Sequence, residues 1–198
     1  MKFLFINGSI HGTQKNSGKV LETLNQYLSL NPRYYDVQTQ VIHLAENKDF
    51  NRIEKAVLEA DAFIFVTGTY WDSWGSPLQL FLEQATEWEG QGHFFSKPVA
   101  AVVGMHSVGG KSVLSRLFGV LNSFGAWIPP YCGIVFSMAA QEALDSGSKY
   151  SADLWQPKDL KVLLENLYQA VLLTSSAKKQ MSSWDIDSDN YTDVWWKG

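Results

Sequence analysis

Phe3-Leu4-Phe5-Ile6, followed by Asn7-Gly8-Ser9-Ile10-His11-Gly12-Thr13-Gln14-Lys15-Asn16-Ser17-Gly18, is the stretch on which the fold turns. Four apolar residues without polar alternation read as a strand buried on both faces, as in a parallel sheet. The run stops at small polar residues. Beyond Gly18, Val20, Leu21, Leu24 and Leu28 recur at helical spacing. A buried strand feeding a helix through a polar loop is the start of a βαβ unit.

The same alternation continues along the chain. Residues 37–44 read as a second, less buried strand, and 53–59 as a short helix. Residues 62–66 read as a third strand ending at Thr67-Gly68-Thr69, with Pro77 placed for the first turn of the next helix. Residues 98–103 read as a fourth strand ending at Gly104, and Gly109-Gly110 leads into a helix with Val113, Leu114, Leu117, Phe118 and Leu121 on one face. A weaker fifth strand at 134–136 precedes a long helix over 157–178. Strand and helix alternate five times, which predicts an α/β sandwich around a parallel sheet. One domain over 1–180 is expected, with a polar tail over 181–198 that carries Trp184, Tyr191, Trp195 and Trp196.

Composition narrows the function classes. The chain has 198 residues, 45% hydrophobic and 18% charged, with a net charge of −4, which argues against a nucleic-acid binder. A single cysteine, Cys132, precludes an intrachain disulfide. His11, His43, His93 and His106 are not at zinc-site spacings, so no metal is expected. The apolar start is too short for a signal peptide or a membrane span, and no later apolar run reaches spanning length. The cytoplasm is the expected location, without integral membrane association.

Right-handed crossovers put every strand-to-helix loop at one end of the sheet, where open α/β sheets bind their ligands. Three loops therefore carry the function: 7–18, 67–77 and 104–111. The first is rich in Gly, Ser, Asn and Thr and opens a helix whose free N–H groups suit an anion. It is neither a Walker A motif nor G-x-G-x-x-G. Composition leaves two readings of it open, a phosphate seat or a capping loop with Ser17 as N-cap. The second loop sets Tyr70, Trp71 and Trp74 among small residues, which suits a flat ring covered by an aromatic and approached by backbone. The alternative is that these aromatics only pack the loop onto the sheet. The third, Gly104-Met105-His106-Ser107-Val108-Gly109-Gly110, again allows close backbone approach, and His106 can donate to a ring carbonyl or stay at the surface.

Together the three loops resemble the NADPH-dependent FMN reductase family, over roughly residues 1–175. Gly8, Ser9, His11 and Ser17 stand where the family has Gly-Ser-x-Arg-…-Ser, with His11 in place of Arg. Thr67-Gly68-Thr69-Tyr70-Trp71-Asp72-Ser73, then Pro77-Leu78-Gln79, is similar to the family's Thr-Pro-x-Tyr-x-x-Ser-x-x-x-x-Leu-Lys. Gly104 and Gly109-Gly110 match its third, Gly-rich loop.

The resemblance implies a flavodoxin-like three-layer sandwich with a five-stranded parallel sheet in order 2-1-3-4-5. It implies bound FMN, NAD(P)H as co-substrate, a small acceptor such as a quinone or free flavin, and a homodimer or tetramer. The implied cofactor-binding set is Ser9, His11, Asn16, Ser17 and Gly18 in the first loop. The second contributes Thr69, Tyr70, Trp71, Asp72, Ser73 and Trp74; the third, Gly104, His106, Gly109 and Gly110. No catalytic side chain is expected, because the redox chemistry belongs to the flavin. FMN is favoured over FAD, since no extra segment is present to hold an adenosine half. A flavodoxin-type electron carrier without NAD(P)H activity is the main rival, and an α/β protein without flavin a third reading.

Overall fold

The computed structural model describes residues 1–147, 154–177 and 181–183; the tail aromatics Trp184, Tyr191, Trp195 and Trp196 lie outside them. Five parallel strands form one sheet: β1 Lys2–Asn7, β2 Gln38–His43, β3 Ala62–Gly68, β4 Val99–Met105 and β5 Gly133–Ser137, in the order β2-β1-β3-β4-β5. The helices are α1 Lys15–Leu30, α2 Phe50–Glu59, α3 Ser76–Gln84, α4 Gly110–Ser123, α5 Met138–Asp145 and α6 Leu160–Ala177. This is the expected flavodoxin-like sandwich. The sequence reading did not contain α5, whose short Met-Ala-Ala-Gln run carries little apolar periodicity and buries no residue.

The apolar runs are continuous because both faces of the sheet are covered. Phe3, Phe5, Ile64, Val66 and Val102 pack against α1 and α6. Leu4, Ile6, Phe63, Phe65 and Ala101 pack against α2, α3 and α4. In register, Phe5 lies beside Val41 and Ile64, and Val66 beside Val102, so the carboxyl ends of β1, β3 and β4 finish side by side. Burial of this kind is worth about 25 cal/mol per Å² of apolar surface.

The second face is centred on a residue from an irregular segment. Phe94 is 1% exposed, and its ring centroid lies 4.8 Å from Phe63 and 5.6 Å from Phe124. Just beyond it, the buried Lys97 sends its ammonium to the C-terminus of α2, donating to Val57 O at 2.9 Å and Leu58 O at 3.0 Å. A cation there meets the negative end of the helix dipole.

On the first face, the Tyr34 hydroxyl donates to Glu165 Oε2 at 2.9 Å, and Arg33 pairs with the same carboxylate. The hydrogen bond from Arg33 holds Glu165 below its ordinary range. Burial, then Glu165, pushes the Tyr34 phenol up to about 12. A raised phenol stabilises the fold below its unfolded value near 10, and that contribution is lost as pH rises towards 12. The melting temperature of the parent protein is therefore expected to fall more steeply above pH 10 than that of Tyr34→Phe; parallel profiles would contradict this.

Candidate functional site

The three loops meet at the carboxyl edge of the sheet around a cavity of about 820 Å³. That is near the upper end of the range of about 300–1,000 Å³ typical of small-molecule sites.

The first loop is braced from its outer side. The Asn7 amide, fully buried, donates to Gly12 O at 2.6 Å, and its oxygen accepts from Ser9 N at 3.0 Å. Thr13 N donates to Glu46 Oε1 at 2.9 Å. Gly12, at φ 55°, leaves room for that carboxylate where a side chain would stand. Gly18 lies so close to the Thr13 carbonyl that a Cβ would overlap it.

On the inner side Ser9 Oγ accepts from His11 N at 3.3 Å and Asn16 Nδ2 donates to Met138 Sδ at 3.2 Å, but the start of the helix carries no side-chain cap. Helix α1 starts with Gln14 at the N-cap, making no side-chain cap, and has no acidic residue in its first turn. The reading of Ser17 as N-cap therefore does not hold: it sits in the third helical position. Its Oγ is buried without a hydrogen-bond partner, and the residue lines the cavity. An orphaned buried hydroxyl is destabilising unless a ligand completes it. Lys15, held at φ 71°, and Lys19 line the same wall. Two cations at a helix N-terminus oppose its dipole, and an anion there relieves both.

The second loop is a two-residue hairpin. Tyr70 N donates to Ser73 O at 2.8 Å and Ser73 N to Tyr70 O at 3.0 Å. The central residues Trp71 and Asp72 have φ 49° and 57°, the conformation of a type I′ turn. Such φ values are unfavourable for residues with a Cβ, by about 1–2 kcal/mol each. Arg116 of α4 holds the turn by donating to Asp72 O, and its guanidinium lies 5.6 Å from the Trp74 ring centroid. Thr69 and Tyr70 face the cavity, with the Tyr70 hydroxyl 3.2 Å from Ser9 Oγ. Thr69 Oγ1 is a second buried hydroxyl without a partner.

The third loop brings Gly104, Met105 and His106 to the cavity. His106 O accepts from Ala139 N at 2.9 Å and Ser137 Oγ at 3.1 Å, which ties this loop to the first turn of α5. Gly109, at φ 88°, is the N-cap of α4 and lies against the Asp72 carboxylate.

Of the residues singled out from sequence, the structure thus gathers Ser9, His11, Asn16, Ser17, Thr69, Tyr70, Gly104 and His106 around one cavity. Gly18, Asp72, Ser73, Gly109 and Gly110 do not line the cavity; they belong to the turn and the helix starts beside it. Trp71 projects fully into solvent, and Trp74 turns to Gln79, donating to its Oε1 at 2.9 Å. Sequence reasoning missed Lys15 and Lys19, although both fall in or beside the first loop. It also missed Phe136, Met138, Trp155 and Leu160, which lie at the end of β5 or beyond it in sequence and line the same cavity.

FMN is tested by this arrangement, and the residues fit it. A helix N-terminus with an orphaned hydroxyl suits a phosphate, and the adjoining Gly68 and Gly104 let backbone approach a flat ring.

Fold and site together define a flavodoxin-like flavoprotein. The model of the NADPH-dependent FMN reductase family matches residues 1–141, and the chain belongs to that family. It is an FMN-dependent oxidoreductase. No curated protein sequence matches the chain. Among solved structures, RosB with bound 8-demethyl-8-formylriboflavin-5'-phosphate aligns with a TM-score of 0.69 at 11% identity, covering 100% of this chain and 95% of that one. The apo form of NADH:FMN oxidoreductase (EMOB) aligns at 0.63 with 17% identity, over 87% and 89%. Oxidised Flavodoxin 1 from Bacillus cereus aligns at 0.56 with 12% identity, over 92% and 100%. Identities this low speak for the fold alone. Among the described residues no helix is long and apolar enough to cross a membrane.

Proposed function

We propose that one domain over 1–180 holds FMN at this cavity and passes electrons from NAD(P)H to a small acceptor, in the cytoplasm. The observation that carries the reading is the orphaned Ser17 hydroxyl beside an uncapped α1 N-terminus, inside a cavity of about 820 Å³.

In this reading Ser9, His11, Asn16 and Ser17 hold the phosphate, with Lys15 as counter-charge in place of the family's Arg. Thr69, Tyr70, Gly104 and His106 border the ring. When bound, the flavin supplies the two-electron chemistry between nicotinamide and acceptor. The chain's part is to bind and orient, and to aim backbone donors of the second and third loops at the ring edge where negative charge develops. Gly18, Asp72, Ser73, Gly109 and Gly110 keep those loops in place.

Ile10, Trp71 and Val108, one from each loop, are exposed to 44%, 102% and 73%. Such an apolar rim supports a homodimer or dimer of dimers in which Trp71 and Trp74 lie near the contact.

The decisive experiment is anaerobic. Protein loaded with one FMN per chain is expected to lose its flavin absorbance on addition of NADH or NADPH, without a partner protein, and to show ping-pong kinetics with a quinone. A flavin that stays oxidised under excess of both nucleotides, yet is reduced by a reductase, would make the chain an electron carrier.

A further inference from the structure

The cavity is larger than the three loops that define the cofactor seat. Along α1 it is lined at Lys15, Asn16, Lys19, Val20 and Thr23. At 1.5 Å per residue, that stripe runs about 12 Å down the helix from its N-terminus. The floor there is Val66 and Val102, and the far wall comes from the end of β5, the start of α5, and Trp155, Pro157 and Leu160.

Trp155 and Leu160 form that wall, with Phe136 at the end of β5. Trp155 is held in place: Lys111 Nζ, from the first turn of α4, lies 5.5 Å from its ring centroid. The cation occupies one side of the indole, while the residue lines the cavity. The rest of this wall is built as firmly. Met138 opens α5, whose N-cap Ser137 accepts from Ala140 N at 3.2 Å, and Ala139 N donates to His106 O. The polar side chains along these walls are Lys19 and Thr23 of α1, the N-cap Ser137, and Gln141 and Glu142 of α5.

We propose that this second compartment, between α1 and the 155–160 segment, binds the electron acceptor, and that the acceptor is a planar apolar ring system with carbonyl oxygens at its edge. Trp155, Leu160, Phe136 and Val20 supply the apolar walls, and Trp155 a ring face for stacking. Lys19 and Gln141 are donors, matched to carbonyl oxygens. The inference rests on the reading of the three loops as the FMN seat. It places the acceptor on the α1 and α6 side of the sheet, away from the exposed Trp71.

The test uses the oxidised, FMN-loaded protein, which binds a quinone without reducing it. 2-Methyl-1,4-naphthoquinone is titrated against flavin fluorescence. Trp155→Ala removes the stacking face at a residue 39% exposed, and Thr23→Trp fills the compartment from α1. Each variant is expected to weaken quinone binding at least tenfold while its Kd for FMN stays within twofold of the parent. Unchanged quinone affinity in both variants overturns the proposal. So does an equal loss of FMN and quinone, which would assign the compartment to the cofactor. Failure of the FMN reading shows separately, as a parent protein that takes up no FMN before quinone is added. The same titration, read on tryptophan fluorescence of the flavin-free chain, then decides the compartment by the same tenfold criterion.

Discussion

Alanine at Phe94 is expected to destabilise the protein by about 3–5 kcal/mol, the range for deleting a buried aromatic ring. Phe94 is surrounded by rings: besides Phe63 and Phe124, the centroids of Trp88, Phe81 and Phe65 lie at 6.2, 6.4 and 6.4 Å. Cluster members come from β3, α3, the turn after it and the end of α4, so no single element can move in to fill the space. A domain has about 5–15 kcal/mol of stability in all, so the substitution removes a large share of it. Urea unfolding followed by circular dichroism measures it, with an unchanged m-value expected. A loss below about 1 kcal/mol would mean that the surrounding helices collapse onto the gap.

Ser17→Ala is expected to move two quantities in opposite directions. In the flavin-free protein the Ser17 hydroxyl is buried and unpartnered. Its removal relieves a desolvation penalty, so the melting temperature stays level or rises. In the FMN complex the same hydroxyl donates to a charged phosphate in the proposed seat. Its loss then weakens FMN binding by about 1–3 kcal/mol, roughly fivefold to 150-fold. Ser9→Ala adds to that loss, though less cleanly, because Ser9 Oγ also accepts from His11 N at 3.3 Å and meets Tyr70. Riboflavin, which lacks the phosphate, is the control: its Kd is expected to be the same for parent and double variant. A matching loss for riboflavin would show that the loop acts on folding alone.

Local signals were enough for the sheet. A strand buried on both faces must be a continuous apolar run, and Phe3–Ile6, Ala62–Val66 and Val99–Val103 are such runs. Helices that cover a sheet must show a stripe every three or four residues, as α1, α4 and α6 do. Right-handed crossovers then leave one end of the sheet for the loops, so their convergence was also legible, and eight of the residues named from sequence do line one cavity.

What the tertiary structure decided has no local signature. Phe94 lies in Gly90-Gln91-Gly92-His93-Phe94, a polar, glycine-rich stretch that reads as surface, and only packing makes it the centre of a face. Trp71, Trp74 and Tyr70 look alike in sequence. Tyr70 reaches the cavity, Trp74 goes to Gln79 and Trp71 to solvent because the type I′ turn at 71–72 reverses the chain between them. Whether Ser17 caps α1 or stands orphaned inside it depended on the helix starting at Lys15, three residues earlier than a Ser17 cap allows. Trp155 and Leu160 are far from the loops in sequence and line the same cavity only in the folded chain. The sequence by itself determined the architecture and the edge where a ligand must bind, since burial and helical periodicity are local; the shape of the cavity, and which hydroxyls and rings face it, came from contacts between distant segments.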